Sequence, residues 1–378
     1  MNRDNKLISR YLYKTPYVDD AQRFMERVAN KTVIPYQVEI QPGPTGDKIC
    51  WLECPFCYGG SATNTGKRLS KERYIELIKE IAEGGVKKVI FAGWATDPLF
   101  YQYIDDLVET ALVAGLVIGF NTRAINVSDR LTHLLGSSSL AQESYMSISV
   151  DAGDNESYAL VHAAPRDGRL YDRVYQNIKR IKENRESNGG KLFLSSTYLI
   201  NQINCDPVLA SQFISDFKAL GIDLIRFSFP QIPRGNTESD RSLIPSASER
   251  QSLKNILAPV IKQEAAHEGH SKVLLLSEED HFYDKRTTPC FSRFIFPTIG
   301  FDGGLYQCSQ SAGPNFHESA LGDLETQSFW DLYYRYDISN LDGYFDQLTK
   351  CFDKVDCRCD RKAHVVNNTI NQELTLKL

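Results

Sequence analysis

The sequence predicts an α/β fold: a partial (β/α)6 barrel with a small C-terminal β-hairpin-plus-helix domain. Three observations support this. Between residues 33 and 229, short apolar runs alternate six times with amphipathic stretches of helical period. The apolar runs are nearly continuous, as in parallel strands covered by crossover helices. After residue 285 the rhythm breaks into two short apolar runs around Asp302-Gly303-Gly304, a hairpin pattern, and cysteines gather. A flat doubly wound sheet would give the same alternation, and pattern alone does not separate the two.

The elements follow in order. "VIPYQVEI" (33–40) reads as the first strand. Ser70 caps a helix over 71–83 that Gly84-Gly85 ends. "VKKVIFAG" (86–93) is the second strand, followed by a helix from about 98 to 114 stopped by Gly115. The third strand is 116–121, then a short helix near 128–135 and the fourth strand 145–150. A helix over 171–186 precedes the strand 191–199, and a helix over 207–219, ending at Gly221, precedes the strand 222–229. Residues 246–267 read as helix, 272–276 as a further strand and 327–336 as a helix in the C-terminal part. The expected divisions are an N-terminal extension (1–32), the barrel (33–285), the C-terminal domain (286–365) and a tail (366–378) without a structural signal.

The formal net charge of −5, from 43 Lys and Arg against 48 Asp and Glu, lacks the basic surplus of a nucleic-acid binder. No apolar run reaches the length of a membrane span, and the first residues lack the apolar core of a signal peptide. The expectation is therefore a cytoplasmic protein with neither nucleic-acid nor membrane partners. In that compartment thiols stay reduced, and clustered cysteines point to metal or catalysis.

The nine cysteines are clustered. "CWLECPFCY" sets Cys50, Cys54 and Cys57 in the spacing C-x3-C-x2-C, directly after the first strand. Thiolates bind zinc or iron–sulfur clusters. Structural zinc takes four ligands, and no fourth Cys or His lies nearby. A cubane held by three thiolates keeps one iron open, and its place after the first strand puts it at the barrel mouth.

This stretch resembles the C-x3-C-x-aromatic-C motif of the radical S-adenosylmethionine (radical SAM) enzymes. The resemblance implies a [4Fe-4S] cluster on Cys50, Cys54 and Cys57 whose open iron chelates S-adenosylmethionine. It also implies a 5′-deoxyadenosyl radical that abstracts a hydrogen atom, and an electron donor of flavodoxin or ferredoxin type. Phe56 and the Tyr58 backbone would lie at the adenine. "FAGWATDPL" is similar to the family's Gly-Gly-Glu-Pro segment, which implies that Gly93 and Asp97 meet the methionine amino group. Asp97 replaces the glutamate there, and Trp94-Ala95-Thr96 interrupts the glycines. Asp97 also reads as an N-cap before Pro98. "FNTR" resembles the family's Thr-Asn-Gly turn and offers Asn121, which equally reads as a polar residue closing a strand. "SISVDAG" resembles the ribose- and methionine-contacting segment and offers Ser149 and Asp151.

Cys290 and Cys308 frame "CFSRFIFPTIGFDGGLYQC", with Gly303 five residues before Cys308. This resembles the opening of the SPASM and twitch domains, and "LGDLETQSFWDLY" resembles the helix that follows. With Cys351, Cys357 and Cys359 the total is five cysteines, short of the seven of a full SPASM domain. The resemblance implies a twitch domain with one auxiliary [4Fe-4S] cluster, on Cys290, Cys308 and two of the last three, or on all of the last three and one of the first two; structural zinc is the alternative. Such domains accompany enzymes that act on ribosomal peptides, protein side chains, and sugars or aminocyclitols. Because the first 32 residues are short and irregular and offer no separate peptide-recognition module, the expectation is a small-molecule substrate such as an aminosugar or aminocyclitol, dehydrogenated or epimerised, with a peptide substrate the runner-up. A zinc–thiolate scaffold that binds a partner is the non-enzyme alternative. Cys205, outside both groups, sits after the fifth strand and is the expected hydrogen-atom donor; a partly buried, inert cysteine is the plainer reading.

Overall fold

The structure, a computed structural model, describes residues 20–43, 50–57, 66–93, 96–229, 232–233, 243–268, 272–276, 282–283, 289–312, 319–341, 343–345 and 361–375. Strands β1 (Val38–Ile40), β2 (Lys88–Phe91), β3 (Val117–Thr122), β4 (Tyr145–Ser149), β5 (Phe193–Leu199) and β6 (Leu224–Ser228) lie side by side in chain order, all parallel. β7 (Ile232–Pro233) pairs apart from them with β9 (Phe282–Tyr283), while β8 (Val273–Leu276) extends the main sheet beside β6. At the other edge β10 (Thr298–Ile299) lies parallel to β1, followed by antiparallel β11 (Gly304–Tyr306) and β12 (Gly322–Asp323). The ten-stranded order is β12-β11-β10-β1-β2-β3-β4-β5-β6-β8.

That order separates the two architectures the sequence left open. A doubly wound sheet reverses its strand order at a switch point to cover both faces with helices. Here β1 to β6 run without reversal, so right-handed crossovers place the helices on one face. Val89, Phe91, Ile118, Phe120, Met146 and Ile148 on that face are buried in the single apolar core. The opposite face carries Asn121, Ser147 and Ser195 in one register row, and Ser149, Thr197 and Arg226 in the next. The sheet curls around this polar face. Tyr145 of β4 lies within electrostatic reach of Glu39 on β1 and Arg226 on β6; burial and then Glu39 raise its hydroxyl pKa, which Arg226 opposes. Ile90, Phe193 and Leu224 share this face, so these are the features of a partial barrel with a partly polar interior.

The helices form where their caps predict. The Ser70 side chain accepts from Arg73 N at the start of Lys71–Glu83, Ser128 from Leu131 N before Asp129–Gly136, and Asp206 from Val208 N before Pro207–Leu220. Leu170–Ser187 and Ala247–Glu268 also match the expected segments closely. Two expectations within the barrel are corrected. The first strand is shorter than 33–40, because Thr32 N and Val33 N are bonded to Arg27 O and Pro35 has no N–H to give a ladder. The helix over 98–114 is divided into a 3-10 turn, Pro98–Phe100, and the helix Ile104–Val113. Helix Asn155–His162, held by a reciprocal Asp154–Ser157 capping box, was not foreseen from the sequence. No helix among the described residues is long and apolar enough to cross a membrane.

The hairpin forms as expected. Asp302 accepts from Tyr306 Oη at 2.6 Å and from Gly304 N at 3.1 Å, and Gly303 supplies the left-handed turn residue (φ +83°). The hairpin is joined to the barrel, continuing its sheet through β10 beside β1. The helix expected over 327–336 is the shorter Phe329–Tyr333. Trp330 Nε1 donates to Glu80 O (3.1 Å), and Arg73 reaches Leu324 O (2.7 Å) and Gln327 O (2.9 Å). A Cβ on Gly84 would stand 2.0 Å from the Trp330 ring, so this docking requires glycine. The N-terminal extension contributes helix Ala21–Ala29, whose Phe24 meets Phe291 and Phe294 edge-on. The expected boundary at 365–366 falls inside helix Arg361–Thr375, so residues 366–375, which carried no structural signal in the sequence, are helical. On this helix Asn367 accepts from Phe291 N and donates to Ser292 Oγ.

Candidate active site

The C-terminal ends of β1 to β5 meet the cysteine loop. Between Cys54 and Cys57 the chain turns tightly: Cys57 N donates to Cys54 O (3.0 Å), with Pro55 in the position where its fixed φ favours a turn. Cys54 is buried, Cys50 half-buried and Cys57 exposed. The loop is fastened to helix Asn155–His162 by Glu53 N donating to His162 O (3.2 Å). Beneath it, His162 Nε2 lies 3.0 Å from Val150 O, to which it donates, and 3.4 Å from Arg123 Nη1, which has no acceptor and makes no hydrogen bond to a protonated Nε2. Nδ1 therefore carries the lone pair that receives the Cys54 thiol proton at 3.2 Å. Burial and then the Arg123 charge push the His162 pKa well below its ordinary value, so the ring is neutral.

Arg123 is the centre of the site. Its Nη1 donates to Asp151 Oδ2 (2.6 Å) and to Ser149 O (3.3 Å), and its Nη2 lies 3.8 Å from Cys54 Sγ. The guanidinium sits 5.8 Å from the centroid of the Phe56 ring. Burial works against its charge, but Asp151 and Cys54 more than offset that and leave Arg123 more basic than usual. Asp151 has a left-handed backbone (φ +58°), tolerated by a short polar side chain. Its Oδ1 accepts from Leu199 N (2.7 Å), tying β4 to β5. Burial raises its pKa, opposed first by Arg123.

Asp97 is bound into the strand ends. Oδ1 accepts from Leu99 N (2.9 Å) and Thr122 Oγ1 (2.7 Å), and Oδ2 from Arg123 N (2.6 Å). The N-cap geometry before Pro98 is thus present, and the same carboxylate clamps β2 to β3. Burial raises its pKa, and these hydrogen bonds oppose the shift. Gly93 packs so closely against the loop that a Cβ would lie 1.8 Å from Thr96 O. Asn121 is exposed on the inner face of β3, and Ser149 Oγ accepts from Thr197 Oγ1 at 3.3 Å.

The structure therefore gathers Cys50, Cys54, Cys57, Phe56, Asp97 and Asp151 at one end of the barrel. Arg123 and His162 belong there too and were missed. Arg123 stood in the quoted "FNTR", where a cation closing an apolar strand was the available signal; His162 gave none, since its helix was unforeseen. Cys205 lies elsewhere on the rim, in the loop after β5, beside Glu249 and Arg250; burial and then Glu249 push its pKa up to about 11, against Arg250. Cys290 is buried and Cys308 half-buried, at the two ends of the hairpin segment. Tyr58, Cys351, Cys357 and Cys359 lie outside the described residues.

Among the described residues, no group of three or more His, Cys, Asp or Glu side chains converges as around a single metal ion. The donor set does fit an iron–sulfur cluster. Three thiols on one loop act electrostatically on one another, and the Arg123 cation lowers the pKa of both Cys50 and Cys54. Burial still dominates and pushes Cys54 up to about 12. Ligation as thiolates would need that cation and the cluster's own positive iron.

Residues 48–200 match the family model described as the radical SAM superfamily, a span that includes every residue of this site. No curated protein matches the sequence. Among solved structures, SuiB of Streptococcus suis is 14% identical with a TM-score of 0.57 over 89% of this chain and 76% of its own. SuiB bound to S-adenosylmethionine gives the same identity and TM-score over 90% and 76%. Native anSMEcpe with bound AdoMet is 12% identical with a TM-score of 0.54 over 83% and 84%. At these identities the likeness is one of fold.

Proposed function

We propose, from the radical SAM domain that the chain carries over residues 48–200, that the protein cleaves S-adenosylmethionine reductively and abstracts a hydrogen atom from an unactivated C–H bond of a small polar substrate. The observation that carries this reading is the cysteine loop seated over Arg123, His162 and Asp151 at the C-terminal strand ends. Cys50, Cys54 and Cys57 would hold the [4Fe-4S] cluster. When bound, the cluster and S-adenosylmethionine supply the reducing electron and the hydrogen-abstracting group. The chain's own residues position and compensate. Arg123 offsets thiolate charge, His162 Nδ1 accepts the hydrogen bond of the Cys54 thiol before ligation, and Asp97 holds β2, β3 and the Arg123 backbone in register. Phe56, Tyr58, Gly93, Asn121, Ser149 and Asp151 would line the cofactor.

The substrate we assign is of sugar or aminocyclitol type, dehydrogenated or epimerised. Cys205 is kept as a neutral thiol, the form a hydrogen-atom donor requires. Cys290, Cys308 and two of Cys351, Cys357 and Cys359 would hold an auxiliary [4Fe-4S] cluster as electron acceptor in dehydrogenation. A flavodoxin- or ferredoxin-type protein would supply the electron. A peptide or protein side chain is the second substrate reading, prompted by the structure of SuiB bound to its precursor peptide SuiA.

Anaerobically purified protein should be brown, contain iron and sulfide, and form 5′-deoxyadenosine with dithionite. The Cys50→Ala/Cys54→Ala/Cys57→Ala variant should form none. A colourless, zinc-loaded protein, or a triple variant that still makes 5′-deoxyadenosine, overturns the reading.

A further inference from the structure

Gln41 follows β1 and continues its ladder, with Gln41 N donating to Ile299 O (2.9 Å). Side chains alternate along a strand, so Gln41 shares a face with Glu39, opposite the core residues Val38 and Ile40. This is the polar inner face, where Glu39 comes within reach of Tyr145 across the curl of the sheet. Gln41 Nε2 donates to Glu39 Oε1 at 2.8 Å. A carboxylate oxygen accepts, so this contact fixes the amide orientation and leaves Oε1 as the other end. Gln41 is 0% exposed, and no protein donor among the described residues reaches its Oε1. A buried acceptor without a donor is costly, and native structures retain one where something else uses it.

We propose that Gln41 Oε1 and the Glu39 carboxylate form a substrate-orienting site in the barrel, taking an O–H or N–H donor of a polyhydroxy or amino compound. This rests on the reading of the site as a radical SAM centre and specifies its substrate class. The two acceptors lie on the strand that leads into the cysteine loop, so a ligand held there would sit under the reacting end of the barrel. The rest of the inner face carries Asn121, Ser147, Ser195, Thr197 and Arg226, which offer hydroxyl, amide and guanidinium groups, alongside the apolar Ile90, Phe193 and Leu224. Such a lining gives a ligand hydrogen-bond partners on several sides.

The test is calorimetric titration of the cluster-loaded protein, in the presence of S-adenosylmethionine, with D-glucosamine, myo-inositol and a fully O-methylated glucoside. Glucosamine or inositol should bind, and the O-methylated control, which has no donor, should not. Affinity should fall at least tenfold in Gln41→Met and in Glu39→Gln; the second keeps the shape of the side chain and guards against misfolding. Preference for glucosamine over inositol marks the donor as an ammonium, and the reverse marks it as a hydroxyl. The proposal is overturned if the wild type binds neither donor-bearing probe, if both variants bind as the wild type does, or if the O-methylated control binds equally well. Formation of 5′-deoxyadenosine by the wild type is measured on the same preparation. Its failure removes the radical SAM reading and leaves the binding result standing, so the two are told apart.

Discussion

Replacing Arg123 by methionine removes the guanidinium and leaves its backbone N–H on Asp97, so the perturbation is confined to the side chain. Asp151 then keeps one hydrogen bond, from Leu199 N, and loses the cation at 2.6 Å. Its side chain is only 2% exposed, so water cannot replace the lost partner. Breaking a buried pair from one side costs about 3–5 kcal/mol, most of it the stranded charge. The surviving Leu199 contact places the expected loss near the lower end, about 3 kcal/mol. Arg123→Met/Asp151→Asn removes the stranded charge and keeps an oxygen for Leu199 N, so it should recover about 2 kcal/mol, against the sum of the two single changes. Urea unfolding of the wild type, both single variants and the double variant, under anaerobic conditions, measures the cycle. Iron content should fall in Arg123→Met as well, since Cys54 loses a compensating cation. A loss below about 1 kcal/mol, the range of an exposed ion pair, would refute the argument that Arg123 holds the site together electrostatically.

Two further outcomes follow from the same geometry. Asp97→Ala strands the buried Leu99 N and Arg123 N donors and should cost about 2–6 kcal/mol in urea unfolding, at about 1–3 kcal/mol per unsatisfied group; wild-type stability with weakened S-adenosylmethionine binding would show the carboxylate serving the cofactor alone. Cys205, raised to about 11 by burial and Glu249, should alkylate with iodoacetamide at pH 7.5 roughly ten- to a hundredfold more slowly than an ordinary thiol. The rate, followed site by site by mass spectrometry, should climb as pH rises toward that value; a fast, pH-independent reaction would contradict a protonated Cys205.

The sequence was legible where local rules and the native structure agree. Ser70, Ser128 and Asp206 cap the helices their positions announce, and the turn at Gly303 joins the hairpin its glycine predicts. The cysteine spacing led to the loop of the candidate site before any fold was known. Failure came where tertiary partners decide. Helix Asn155–His162 is short and rests on a capping box whose third position is Ser157, where a Glu or Gln is the recognisable residue. Helix Arg361–Thr375 was hidden because its asparagine-rich stretch reads as irregular, whereas Asn367 is buried in hydrogen bonds to Phe291 and Ser292. Arg123 and His162 act across strands and helices, and no periodicity announces such a meeting.

The C-terminal segment has a structural part to play at the cysteine loop itself. β1 has only three residues, too few to be fixed by one neighbour, and it is flanked by β2 on one side and β10 on the other. β10 is held in turn by the helix that precedes it, Ser292–Ile295, where Arg293 is buried. Its guanidinium donates to Leu332 O (3.1 Å), Tyr333 O (3.0 Å) and Arg335 O (2.9 Å), capping the end of Phe329–Tyr333. That helix is pinned to Glu80 through Phe329 N and Trp330 Nε1. The closed circuit runs from helix Lys71–Glu83 through Trp330 and Arg293 to β10, then to β1 and the cysteines. A disturbance anywhere on it reaches the strand that presents Glu39 and Gln41. The hairpin with its two flanking cysteines is therefore part of the scaffold of the candidate site, whatever those cysteines bind.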